Sequence, residues 1–143
     1  MNGSNERTVV DTGPLVAAIN ADDRHHAWAC EVFGRIPAPV FTCEAVLSEA
    51  QFLLHGRGGD PLSVVEWVRD GVIRLAFTAE DEIERLMELQ RSYRDLPMDF
   101  ADACLVRMTE THPGSRVLTT DSRFRLYRRN RRQVIPLLVP PGM

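Results

Sequence analysis

The chain has 143 residues, of which 44% are hydrophobic and 26% charged, with a net charge of −3. That length and balance suit one globular domain with its own core, and exclude a disulfide-stapled mini-protein or a disordered tail. All 17 basic residues are arginine, which excludes a P-loop NTPase and a Schiff-base enzyme, since each needs a lysine.

Arg7 to Asp11 reads as a short buried strand that ends in an acid. Thr12-Gly13-Pro14 reads as a turn, with Pro14 opening a helix through Asn20. Asp22 or Asp23 is expected to cap a helix from Arg24 to Phe33, which Pro37 and Pro39 end. Val40 to Thr42 is a second strand. Glu44 to His55 is helical, with Val46, Leu47, Ala50, Leu53 and Leu54 in one stripe. Gly56 to Gly59 breaks it, and a helix from Leu62 to Asp70 stops at Gly71. Val72 to Phe77 alternates as a strand. Thr78, with Asp81 three residues on, is expected to cap a helix to Tyr93 whose buried stripe is Ile83, Leu86, Met87, Leu89 and Tyr93. A helix from Met98 to Thr111 ends at Pro113-Gly114. Arg116 to Thr120 forms a strand, Ser122 to Arg128 a short helix, and Val134 to Leu138 a last strand. This alternation predicts an α/β fold, a mainly parallel sheet between helices, as one domain over 1–143 with its core at about 7–139.

No apolar run approaches the ~20 residues of a membrane-spanning helix. Met1 to Thr8 has no signal-peptide core, so a cytoplasmic protein with no membrane contact is expected. Cys30, Cys43 and Cys104 form no C-x-x-C and sit in apolar stretches, which predicts buried free thiols rather than a disulfide or zinc site. His25 and His26 are adjacent and diverge on a helix, so a histidine metal site is not expected. Six arginines (Arg123, Arg125, Arg128, Arg129, Arg131, Arg132) follow Asp121, while all 20 acids lie at or before it. Such a block marks either a phosphate-bearing or acidic partner or a solvated helix face.

The acids among apolar residues carry the functional signal. Asp11 and Asp121 end strands, where ligands collect in parallel sheets. Glu49 lies mid-helix, and Asp99 and Asp102 share a helix face. Either these are unrelated caps and strand ends, or they converge. Converging carboxylates repel and take up protons unless a cation intervenes. Oxygen-only ligands suit Mg²⁺ or Mn²⁺, and a cation so held supports phosphodiester hydrolysis.

Four segments carry a resemblance: Val9 to Leu15, Thr42 to Ala50, Leu96 to Ala103 and Val117 to Asp121. Their order and spacing resemble a PIN domain, and more closely the VapC-type toxins of type II toxin–antitoxin systems. The resemblance covers nearly the whole chain. It implies a PIN-like α/β/α sandwich that cuts single-stranded RNA with Mg²⁺ or Mn²⁺, leaving a 5'-phosphate and a 3'-hydroxyl. Asp11, Glu49, Asp102 and Asp121 match the family's four acids. Asp11 and Asp102 would be the principal metal ligands, and Glu49 and Asp121 would complete the site. Asp99 matches an extra acid, and Thr12 and Thr120 adjoin the site. For an enzyme of this kind, the block from Arg123 to Arg132, read from its charge, is the candidate for contact with the RNA backbone. A small antitoxin and a second copy of the chain are the implied partners, with Trp28, Phe33, Phe52 and Trp67 as candidates for core or interface. One departure stands out: related sequences often place an Asp where this chain has Arg123.

A phosphorelay receiver and a haloacid-dehalogenase-type phosphatase are excluded by the missing lysine, the latter also by Gly13 two residues after Asp11. A housekeeping RNA-processing nuclease and a catalytically dead PIN-like binding protein remain as alternatives.

Overall fold

The computed structural model describes residues 6–143. The N-terminal stretch read for a signal peptide therefore lies mostly outside the described residues. Five parallel strands form the central sheet: β1 (Arg7–Val10), β2 (Val40–Thr42), β3 (Ile73–Leu75), β4 (Ser115–Leu118) and β7 (Leu137–Leu138), in the order β3-β2-β1-β4-β7. Its centre is apolar because the strands are. Val9, Val10, Val117 and Leu118 are all but inaccessible, each burial worth roughly 1.5–3 kcal/mol. The apolar pairs that close β1 and β4 are buried on both faces of the sheet, while Arg7 and Arg116 at their starts are only half-buried.

The helices are α1 (Thr12–Ile19), α2 (His26–Arg35), α3 (Glu44–Leu54), α4 (Leu62–Arg69), α5 (Ile83–Ser92) and α6 (Phe100–Thr111). One group joins α1 to α2 and α3, and α3 to α4. In the other, α5 packs on α6, which lies along β1 and β4. This is the expected α/β/α sandwich. The stripe of α3 is buried at Val46, Ala50 and Leu54, and Gly71 stops the segment after α4 at φ +82°.

Several boundaries differ from expectation, each for a local reason. The second helix starts at His26 because Asp23 caps a turn instead, its Oδ1 accepting the His25 N–H. The segment after Thr78 opens as a 3-10 turn, Ala79–Glu82, with no side-chain cap from Thr78. Of the stripe predicted on α5, Leu86 and Leu89 are buried, whereas Ile83 and Met87 face solvent. The sixth helix starts at Phe100, since Asp99 and Asp102 form a reciprocal capping box. Ser122–Arg125 is a single 3-10 turn. The predicted last strand is two elements. β6 (Gln133–Val134) pairs antiparallel with β5 (Arg128–Arg129) in a small hairpin, and only β7 joins the main sheet. The hairpin turns through Asn130 and Arg131, both at positive φ. Cys43 and Cys104 are buried as expected, but Cys30 is exposed. Trp28, Phe33 and Trp67 pack against the core, with Phe33 and Trp67 edge to face at 5.6 Å. Phe52 does not: it is 77% exposed. Among the described residues no helix is long and apolar enough to cross a membrane.

Candidate active site

β2 and β3 lie on one side of β1, and β4 and β7 on the other. The strand order thus reverses between β1 and β4, and a crevice opens beyond their carboxyl ends. Val10 pairs with Leu118, so Asp11 and Thr119 emerge together at that crevice.

Asp11 caps α1. Its Oδ1 accepts the Thr12 N–H at 2.8 Å, and its Oδ2 accepts the Thr119 hydroxyl at 2.7 Å. The residue is 7% exposed. Burial pushes its pKa up to about 6 despite the hydrogen bonds from Thr119 and Thr12, and the like charges of Asp121 and Glu49 add to the rise.

Asp102 enters from the first turn of α6 and is 4% exposed. Burial, then the neighbouring charges of Asp99 and Asp11, push its pKa up to about 7. Its Oδ2 accepts the Asp99 N–H at 3.3 Å, and the Tyr127 hydroxyl stands 3.4 Å away. Asp99 lies beside it, with Oδ1 taking the Asp102 N–H at 2.8 Å. The cap accounts for that acid locally.

Glu49 reaches the site from exposed ground on α3, its Oε1 accepting the Thr12 hydroxyl at 2.7 Å. Thr12 therefore ties α1 to α3. Thr120 is placed differently. A Cβ at Gly13 would lie 2.1 Å from the Thr120 hydroxyl, so the loop after β4 rests on the backbone of α1, and only glycine fits beneath it. Among the described residues no side-chain hydrogen bond links Thr120 to an acid.

Asp121 is held by Arg123. The guanidinium Nε lies 3.1 and 3.0 Å from its two carboxylate oxygens, and the Arg123 backbone N–H donates at 2.9 Å. Burial works to raise the Asp121 pKa, but these bonds outweigh it and hold the carboxyl below its ordinary range. The same guanidinium stands 3.5 Å from Asp102 and donates to the Pro97 carbonyl at 3.1 Å. Arg123 thus spans two of the acids.

The crevice therefore gathers Asp11, Glu49, Asp102 and Asp121 at one end of the sheet. Each carboxylate is turned toward its own donor: a threonine, a backbone N–H or Arg123. Among the described residues no three His, Cys, Asp or Glu side chains stand close enough to hold a metal ion as they are.

A PIN-domain profile matches residues 8–130. The chain belongs to the PIN-domain family. Among solved structures, this PIN domain is similar to Mycobacterium tuberculosis VapC20, described as a sarcin–ricin loop cleaving toxin. The two share 24% identity over 90% of this chain and 99% of that one, with a TM-score of 0.74. That likeness is one of fold. No curated protein matches the chain by sequence.

The arginine block of this PIN domain is largely spent on its own fold. Arg123 is on the acids, and Arg125 bonds the Met143 carbonyl. Arg128 bonds the carbonyls of Arg125 and Tyr127, and Arg129 those of Thr109 and Pro113. Arg131 pairs with Glu88, and Arg132 is exposed. They do not form one continuous helix face, because the hairpin splits them.

Two polar residues of the site were not singled out from sequence. Thr119 is fully buried and orients Asp11. Its signal was a polar side chain closing an apolar strand. Tyr127 is fully buried, with its hydroxyl on the Pro97 carbonyl at 2.7 Å and near Asp102. It carried no sequence signal apart from its place among arginines.

Proposed function

We propose that this PIN domain is a metal-dependent endoribonuclease acting on single-stranded RNA, the VapC-like toxin of a type II toxin–antitoxin pair. One observation carries the reading: among the described residues the buried Asp11 has no cationic partner and the buried Asp102 only Arg123 at 3.5 Å, beside two further acids at the switch point of the sheet. Buried charge that the fold leaves unpaired is costly, and an external cation relieves it. The donors are all oxygen, which fits a hard divalent ion such as Mg²⁺ or Mn²⁺. Asp11 and Asp102 would hold it, with Glu49 and Asp121 completing the set. When bound, such an ion polarises a phosphoryl oxygen and eases deprotonation of water.

The chain's own residues do the rest. Thr119 and the Thr12 N–H fix both oxygens of Asp11, so that carboxylate meets its ligand preorganised. Thr12 holds Glu49 toward the crevice, in place to orient water. Arg123 must exchange Asp102 and Asp121 for another partner when those acids are used, and a substrate phosphate is the anion a guanidinium prefers. Asp99 acts as helix cap and Thr120 as packing against Gly13.

We propose a single domain over 1–143, acting in the cytoplasm as a homodimer with an antitoxin partner. Phe52, Leu62 and Val65, exposed on α3 and α4, are apolar ground for such contacts. The bridge from Arg123 to Asp102 and Asp121 favours the runner-up, a PIN-like binding protein with a closed site. Cleavage of a fluorescent single-stranded RNA decides between them. The nuclease cleaves with Mn²⁺, and the Asp11→Ala/Asp102→Ala variant does not. No cleavage by folded protein under any metal would sink the nuclease reading, and equal cleavage by the variant would sink the site.

A further inference from the structure

On the side of α6 that carries α5, the hairpin β5–β6 and helix α5 border a cleft of about 560 Å³. Its walls bear Arg85, Arg91, Arg128 and Arg131, one acid, Glu88, and Tyr93. A second cleft of about 330 Å³ shares Arg85 and Arg131 and adds Arg107 and Glu110. A third, of about 230 Å³, shares Arg91 and adds Arg94. Shared walls join the three into one elongated groove along α5. Six arginines line it against two glutamates, on a chain whose net charge is −3.

The arginines fall into two kinds. Arg85 and Arg107 are pinned by Glu110, and Arg107 also by Glu82 at 2.6 Å. They form a rigid frame. Arg91 and Arg94 are exposed and make no hydrogen bond or ion pair with the other described residues. Arg131 has only a solvent-facing pair with Glu88 at 3.1 Å, which contributes little to stability. Local structure thus accounts for the frame and leaves the three exposed guanidinium groups unexplained.

Tyr93 forms the wall between groove and acids. Its hydroxyl accepts the Arg128 N–H at 2.8 Å, and its ring meets Tyr127 edge to face at 5.1 Å. Tyr127 in turn approaches Asp102. The groove and the candidate active site are therefore one aromatic pair apart.

We propose that this groove binds the sugar–phosphate backbone of single-stranded RNA, with Arg91, Arg94 and Arg131 as its phosphate contacts. The inference rests on the nuclease reading above and extends it with a substrate track outside the acidic crevice. Guanidinium forks match phosphate oxygens, the groove is elongated as a strand requires, and its aromatic wall borders the acids. An acidic peptide offers carboxylates to the same forks but gains nothing from that proximity.

The test is binding of a fluorescein-labelled oligouridylate to the full chain by anisotropy, in EDTA, across a salt series. Single-strand binding loses about 0.7 in log–log salt slope per phosphate contact removed. The Arg91→Gln/Arg94→Gln/Arg131→Gln variant should therefore bind at least tenfold more weakly at low salt, with its slope flatter by about 2. Arg35, Arg57 and Arg74 are exposed and lie outside the groove; replacing all three with Gln should leave the slope unchanged. Equal losses in both variants, or no loss in the first, would overturn the groove. So would polyglutamate binding tighter than RNA with the same variant dependence, which would assign the groove to an acidic peptide. Mn²⁺-dependent cleavage that needs Asp11 and Asp102 keeps the nuclease reading intact if the groove fails. Wild-type protein that neither binds nor cleaves RNA overturns both.

Discussion

Helix α6 carries a buried acid near each end, and the two are treated oppositely. The Glu110 side chain is 2% exposed and that of Asp102 is 5%. Glu110 receives Arg85 through two bonds of 2.9 and 2.7 Å, Arg107 at 3.1 Å and the Asn130 N–H at 2.7 Å. Burial would raise its pKa, but these donors win and hold it below the ordinary range. Asp102 has a backbone N–H at 3.3 Å, a tyrosine hydroxyl at 3.4 Å and one guanidinium at 3.5 Å, and burial wins. The same helix thus shows one carboxylate whose charge the fold satisfies and one whose charge it does not.

Substitution at each end should separate the two roles. Asp102→Asn is expected to abolish metal-dependent RNA cleavage while leaving stability at pH 8 unchanged or raised, because a neutral side chain suits that burial. Glu110→Gln should do the reverse. It strips two partly buried arginines of their partner, so urea unfolding should show a loss of about 2 kcal/mol, with cleavage by the folded protein retained. Matching effects at both ends would erase the distinction.

The pH dependence sharpens it further. Asp11 and Asp102 have folded pKa values near 6 and 7, above the ordinary 3.8. The folded chain therefore keeps protons that the unfolded chain releases. Their contribution is whole below about pH 4 and is lost as pH rises through about 6 to 7, each tenfold change in acidity between the folded and unfolded chain being worth about 1.4 kcal/mol. Glu110 has the opposite sign: its contribution stands above pH 4.5 and goes as pH falls through its lowered folded value. The Asp11→Asn/Asp102→Asn variant should flatten the decline toward pH 7, read from thermal unfolding across pH. Mn²⁺ should raise the wild-type Tm most at pH 8, where both acids are ionised.

Smaller effects probe the donors. Thr119→Val removes the hydroxyl that orients Asp11. It should weaken Mn²⁺ binding by about 10- to 100-fold in calorimetry, as loss of a ligand's supporting hydrogen bond does. Arg123→Gln frees Asp121 and takes a cation from beside Asp102, so Mn²⁺ affinity should rise several-fold. A fall would make Arg123 a support of the site rather than its occupant.

The fold class was legible because strands of apolar residues alternate with amphipathic helices, and Asp11 and Asp121 were legible because each follows such a strand. What escaped depends on side-chain direction. A polar residue closing a strand does not reveal that its hydroxyl turns onto Asp11, as that of Thr119 does. Arg123 was legible as a departure beside the fourth acid, but its folding back on Asp121, across a two-residue separation, was not. The hairpin β5–β6 fell in the unassigned gap between a predicted short helix and the predicted last strand, because its turn, at Asn130 and Arg131, contains no glycine. Ile83 and Met87 fit a helical stripe, but α5 turns Leu86 and Leu89 to the core and leaves those two, four apart, on the exposed side.

The parallel pairing of β1 with β4 sets a schedule for synthesis. Asp11 is made before Thr119, its hydroxyl donor 108 residues on, and Asp102 and Asp121 lie near Thr119 in the chain. A nascent chain that stops before β4 has neither the strand that flanks β1 nor the loop that rests on Gly13. The acids can therefore come together only after β4 and the loop that follows it have been made, and a fragment that stops before β4 carries Asp11 without the hydroxyl of Thr119.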